Sequence, residues 1–179
     1  GAVLVRDEGE AAHRCPNDTH CPPQIKGRIE HFISRKAMNI MTLGPETIDE
    51  YFSRQLIHNI ADLYTLTPMQ ITGGNTNRMV SAQKVVSSIR ESVSVPFERV
   101  LFALGIRMVG ETTAKILARN FKSIDALMAA KVEELTTIEG VGNTIAENVV
   151  AYFQNSDNRD IIERLRAFGL QMSLSEQQL

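Results

Sequence analysis

No apolar run in this 179-residue chain approaches the roughly 20 residues that cross a bilayer, and no stretch of it reads as a secretory leader. No membrane-spanning helix is expected on that ground, and a cytoplasmic protein is. Cysteine is scarce: Cys15 and Cys21 alone are too few for the disulfide framework of a small secreted scaffold. An excess of one charge is missing too, since the formal net charge is −2 and no global field draws the chain to a polyanion. There is no Walker-type phosphate loop and no His-Glu-x-x-His motif, and no triad can be argued from the Ser and His present. What remains is a composition 43% hydrophobic, enough for a packed core in one large domain or one with a small appendage.

The charge that is there is unevenly placed. Between Arg78 and Lys122 stand eight basic and three acidic residues; between Lys131 and Leu179, four basic and eight acidic. A local basic surface is therefore compatible with the sequence, and a basic domain is not.

The chain also repeats itself. "IEGVGNTIA", Ile138 to Ala146, aligns with "IRMVGETTA", Ile106 to Ala114, 32 residues upstream. "GNTNRMVSA", Gly74 to Ala82, lies a further 32 back, and "IMTLGPETI", Ile40 to Ile48, another 34. The likeness continues downstream: Ala146, Val149, Val150 and Phe153 have the same spacing as Ala114, Leu117, Ala118 and Phe121, and as Ala82, Val85, Val86 and Ile89. Each set is one apolar stripe of an amphipathic helix. In the first copy Ile48, Tyr51 and Phe52 keep the stripe and Gln55 breaks it. Short apolar segments precede the last two copies, so the repeating unit is helix, tight turn, helix.

Two readings of the turn glycines stand side by side. Glycine tolerates the unusual angles of a short turn, so it would serve merely to close helical hairpins in a bundle. Alternatively, a helix N-terminus with bare backbone N–H groups is an accessible anion site, suited to a phosphate oxygen. Four copies at near-constant spacing favour the second.

These residues resemble the helix-hairpin-helix motif of DNA-binding proteins, hydrophobic-x-Gly-hydrophobic-Gly-x-x-x-Ala. The fourth copy fits throughout. The third has Met108 in place of the first glycine and keeps Gly110; the first has Thr42 there and keeps Gly44; the second carries Thr76 and Arg78 at both positions. Together with "HFISRKAMNI" and "LFALGIRMVGETTA", the chain resembles part of the bacterial NAD-dependent DNA ligases from about Ala2 to Leu170. The resemblance implies a mainly α fold: a truncated zinc finger with a β-hairpin over 1–23, a linker helix over 24–38, four hairpin units over 39–170 and a tail over 171–179. It further implies that the chain starts after the first cysteine pair of the finger, leaving Cys15 and Cys21 as half of a zinc site. His13 and His20 are solvated loop residues or substitutes for the missing ligands.

The family's nucleophile is a lysine in Lys-x-Asp-Gly, and no lysine here is followed by that sequence. The resemblance thus implies a non-catalytic part of an enzyme whose missing domain binds NAD and whose reaction uses magnesium. Its partner would be nicked duplex DNA, gripped without sequence specificity; no obligate protein partner is implied. The expected contacts are Gly44, Arg107, Gly110, Thr112, Lys115, Arg119, Gly140, Gly142, Asn143 and Thr144, with Lys122 beside them. Thr112, Thr113, Asn143 and Thr144 are also read as helix caps, Lys26, Arg28, Arg35 and Lys36 as a solvated or DNA-facing side of the linker helix, and Met38, Met41 and Met69 as core fillers. An accessory module of a nuclease or helicase, or a protein-interaction module, is the alternative.

Overall fold

The computed structural model describes residues 22–174, so the expected β-hairpin, His13, His20, Cys15, Cys21 and the residues after 174 lie outside the described residues. Within it the chain is helical, and the one strand-like pairing among these residues is an isolated bridge between Ser123 and Ser173. The first unit places α1 (Pro22–Ile33) before α2 (Pro45–Ser53). In the second, α3 (Pro68–Thr72) is followed by α4 (Met79–Glu91), and in the third α5 (Phe97–Ala103) by α6 (Glu111–Phe121). After α7 (Ile124–Met128) the fourth unit pairs α8 (Val132–Leu135) with α9 (Asn143–Gln154), and α10 (Ser156–Ala167) closes the fold. Among the described residues no helix is long and apolar enough to cross a membrane.

The stripes seen in the sequence are what the helices bury. Ile48, Ala82, Val85, Ile89, Ala114, Leu117, Ala118, Ala146, Val149 and Phe153 all enter one continuous core. Each large aliphatic side chain removed from water there contributes roughly 1.5–3 kcal/mol before conformational entropy is counted. The alanines matter for the opposite reason. Ala114 and Ala146 are fully buried, and their short side chains leave room for a neighbouring helix to approach.

Helix ends are set by recognisable local devices. Asn39, Gly73 and Gly105, each one residue before a nonamer, take left-handed φ values of +56°, +60° and +72°. A residue in that conformation turns the chain out of its preceding helix or turn. Arg54 of the α2 C-terminus donates to the carbonyls of Ile71 (2.9 Å) and Gln70 (2.7 Å), capping the end of α3.

Two features depart from the expected domain layout. The helix that begins at Pro22 is no linker, because Ile29, Phe32 and Ile33 are buried in the common core. It also ends at Ile33, leaving Arg35 and Lys36 in the turn beyond, where their carbonyls accept from the Arg99 guanidinium. The methionines divide. Met38 is buried as expected, but Met41 and Met69 are each 67% exposed. Met41 falls in the hairpin turn and Met69 in the first turn of a five-residue helix, and neither place faces the core.

Distant segments are tied by polar contacts. His31 Nε2 donates to the carbonyl of Phe102 at 2.8 Å, joining α1 to α5. Arg164 reaches Asp62 at 2.8 Å and Arg166 holds Asp125 through two bonds of 2.7 and 2.9 Å, anchoring α10. The Ser92 hydroxyl donates to the Ile89 carbonyl at 2.5 Å, so Tyr64 must be the donor in its 2.7 Å contact with Ser92. Burial pushes the Tyr64 phenol up to about 12, and it stays a donor throughout the physiological range.

Candidate nucleic-acid interface

Three of the four hairpins share one hydrogen-bond pattern, although the residue before the buried one is left-handed in the third and fourth (Met108, Gly140) and not in the first (Thr42). In each an apolar residue (Leu43, Val109 or Val141) is buried and its N–H bonds back to Ile40, Ile106 or Ile138, at 3.2, 3.0 and 3.1 Å. A glycine follows as the helix N-cap: Gly44 (φ −136°, ψ 177°), Gly110 (−86°, −171°) and Gly142 (−85°, 177°). Its carbonyl accepts the first helical bond, from Ile48, Ala114 or Ala146, at 3.0, 2.9 and 3.0 Å. No side chain caps any of these three helices. The first N–H groups of α6 and α9, and those of α2 after Pro45, which has none, are therefore left for an external acceptor, with the helix dipole favouring an anion.

The glycines themselves sharpen this. Their extended angles are open to any residue, and a β-carbon added at Gly44, Gly110 or Gly142 would meet nothing within 4 Å. The expectation that these turns need glycine for unusual angles is therefore wrong at all three. The fold tolerates a side chain there; what a side chain would obstruct lies outside the fold. Gly140 is different. Its φ is +92°, and a β-carbon there would stand 3.1 Å from Ile116 Cδ1, so turn geometry and packing account for this glycine without a ligand.

The second hairpin departs from the pattern for visible reasons. Asn77 stands where the buried Leu43, Val109 and Val141 stand, and it is exposed. The Asn75 side chain accepts from the Asn77 N–H at 3.0 Å, and a 3-10 turn over Thr76–Arg78 runs straight into α4. Arg78, helical in its own angles, takes the N-cap position, so α4 lacks the extended glycine entrance of the other three.

Side chains around the third hairpin supply charge. Arg107, Lys115, Arg119 and Lys122 are exposed, and their side chains make no ion pair or hydrogen bond with the described residues. Arg54, Arg99, Arg164 and Arg166, by contrast, are engaged in structural contacts. Lys115 and Arg119 lie one turn apart on α6, away from its buried stripe, while Lys122 is the left-handed C-cap residue of that helix and Arg107 lies on the turn. The one acidic residue at that helix entrance, Glu111, is drawn towards Lys36 at 3.5 Å. Thr112, Asn143 and Thr144 are exposed beside the open N-termini. They are not caps, and neither is Thr113, because the glycines already hold the N-cap positions and these side chains follow within the first turn. Sequence reasoning missed the open space around the three glycines and the contrast between free and engaged arginines, neither of which has a local signal.

Among the described residues, paired helices enclosing tight glycine-capped turns with open N-termini make up a helix-hairpin-helix architecture. Comparison with known proteins agrees and goes further. Residues 99–162, which contain the third and fourth hairpins, match the helix-hairpin-helix motif family, and residues 1–22 match the NAD-dependent DNA ligase C4 zinc finger domain. Relatives named DNA ligase include those of Phocaeicola vulgatus (54% identical over 99% of the chain), Bacteroides fragilis (53% over 100%) and Parabacteroides distasonis (52% over 100%). The chain spans 27% of the length of each of these relatives. The chain is thus similar over nearly its whole length to a segment of proteins named DNA ligase, one that carries the hairpin region and a match to the zinc finger.

Proposed function

We propose that this chain is the part of an NAD-dependent DNA ligase that grips nicked duplex DNA by its phosphate backbone. The observation that carries the reading is the trio of glycine-capped helix entrances, unoccupied by any side chain and needing glycine for no internal reason. Backbone N–H groups at Gly44, Gly110 and Gly142 would donate to phosphate oxygens, with Thr112, Asn143 and Thr144 close enough in sequence to add hydroxyl or amide donors. Arg107, Lys115 and Arg119 would supply the electrostatic attraction. Such contacts position a duplex without reading bases, which suits an enzyme that seals any nick. Bond making belongs to residues outside this chain, since no lysine here stands in Lys-x-Asp-Gly; NAD and magnesium would act there.

Zinc fits this chain poorly on its own. A four-thiolate finger needs four cysteines, and the sequence offers Cys15 and Cys21. Both lie outside the described residues, and no part of the proposed grip depends on the metal.

The test is a titration of fluorescent nicked and intact duplexes at several salt concentrations. Three cationic phosphate contacts would give a slope of about −2.7 in log K against log salt, or about a 40-fold loss between 50 and 200 mM. Binding that ignores salt, or no binding to either duplex, would instead favour the protein-interaction alternative.

A further inference from the structure

Met108 is in the wrong place for a methionine. Its φ is +72°, a left-handed conformation that a side chain strains, and 58% of the residue is exposed. Gly140 occupies the same register in the fourth hairpin with φ +92°, so the turn forms without a side chain. Neither the fold nor solubility explains why a large apolar group stands there instead. The position is also part of a pattern. Of the large exposed apolar residues, Met41, Val80 and Met108 fall within hairpin nonamers and Met69 in the helix leading to the second; Phe168, elsewhere, stacks on Tyr64. Met41 and Met108 stand on the hairpin turns themselves, whereas Val80 and Met69 lie in the helices flanking the second hairpin. Exposed apolar groups at turns of this kind, one of them strained, point to a partner there.

Resting on the DNA reading above, we propose that Met108 is an apolar contact residue that seats against deoxyribose at the minor-groove edge while Gly110, two residues on, takes the neighbouring phosphate. Charge decides between DNA and a protein as the occupant. The tip is flanked by the unpaired Arg107 and Lys115, and its one acid, Glu111, is turned to Lys36, which suits an apolar strip bordered by phosphates. Methionine is apt for such a surface. Its unbranched, polarizable side chain adapts to an irregular wall, and apolar side chains are used in minor grooves.

The test compares Met108→Gly and Met108→Leu with the parent chain on a 20-base-pair nicked duplex. Met108→Gly should weaken binding by about tenfold at every salt concentration, since an apolar contact releases no counterions and leaves the salt slope unchanged. Its melting temperature should equal or exceed the parent's, because the strain at φ +72° is relieved. Met108→Leu should bind within about twofold of the parent. Unchanged or tighter binding by Met108→Gly overturns the proposal in favour of a protein-docking tip. A reduced salt slope or a lower melting temperature overturns it too, since Met108 would then act by placing charges or by packing. A parent chain without salt-dependent duplex binding sinks the DNA reading itself, an outcome visible before any variant is made.

Discussion

Replacing Gly142 by aspartate should move stability and DNA affinity in opposite directions. The backbone there (φ −85°, ψ 177°) suits an N-cap carboxylate, and a β-carbon meets nothing within 4 Å. The new side chain would accept from the N–H of Thr144 or Ile145 and sit at the positive end of α9. Capping contributes a few tenths of a kcal/mol over glycine, with the dipole and the stiffer unfolded chain adding about as much again, for roughly 1 kcal/mol in all. For a chain of this size the melting temperature should rise by about 2–4 °C. Binding should fall. The carboxylate occupies the donors a phosphate would use and places a like charge about 5 Å away, costing roughly 1–3 kcal/mol at effective dielectrics between 80 and 20. That range is about a 5- to 150-fold loss in affinity. Gly142→Ala is the control for bulk without charge. Thermal melting followed by circular dichroism reads the first quantity and fluorescence anisotropy at low salt reads the second. If Gly142→Asp melts higher yet binds duplex as the parent does, the α9 entrance does not face DNA and the reasoning fails.

Other outcomes are fixed by the same structure. Ala146→Leu forces a larger side chain into a fully buried position and should destabilise by about 1–3 kcal/mol in urea titrations. Arg78→Ala should lower the salt slope of duplex binding by about 0.9 if the second hairpin meets a phosphate through its side chain, and leave the slope alone otherwise. The Arg166 guanidinium holds the Asp125 carboxyl below its ordinary value, so the pair contributes above the unfolded carboxylate range and is lost as pH falls through the depressed folded value. Because Asp125 is largely exposed and solvent screens the pair, Arg166→Ala should cost only about half a kcal/mol at neutral pH through the lost ion pair, and that part of the difference from the parent should vanish in acid. Incubation with labelled NAD should leave every lysine unmodified, and mass spectrometry finding an AMP adduct would contradict the assignment of chemistry to other residues.

The amphipathic stripes, the helix-turn-helix unit and the distinct second hairpin were all legible in the sequence, because each depends on residues a few positions apart. Spacing alone reveals that Ala114 and Ala146 face inward. It does not reveal that Gly110 and Gly142 sit in ordinary extended conformations while Met108 sits in a left-handed one, since glycine permits both and methionine ordinarily avoids the latter. The arginines were opaque for another reason. Arg54 and Arg119 look alike as text, yet one caps α3 across 16 and 17 residues of chain and the other projects into solvent. The misplaced methionines follow the same rule: Met41 is apolar, but its turn carries it outward.

The two ends of the described chain converge on the same hairpin. At one end α1 is tied to α5 through His31 and Phe102, and the turn after it through Arg99. At the other, residues 172–174 lie along the exit of α6, with Ile124 bonded to the Met172 carbonyl and Leu174 to that of Lys122, both at 2.8 Å. A pull applied across the described chain would thus reach α5 and α6 from both sides, through α1 at one end and residues 172–174 at the other. The turn that carries Met108 and Gly110 joins the two helices to which both ends are tied, so tension across the chain would be felt at its backbone amides.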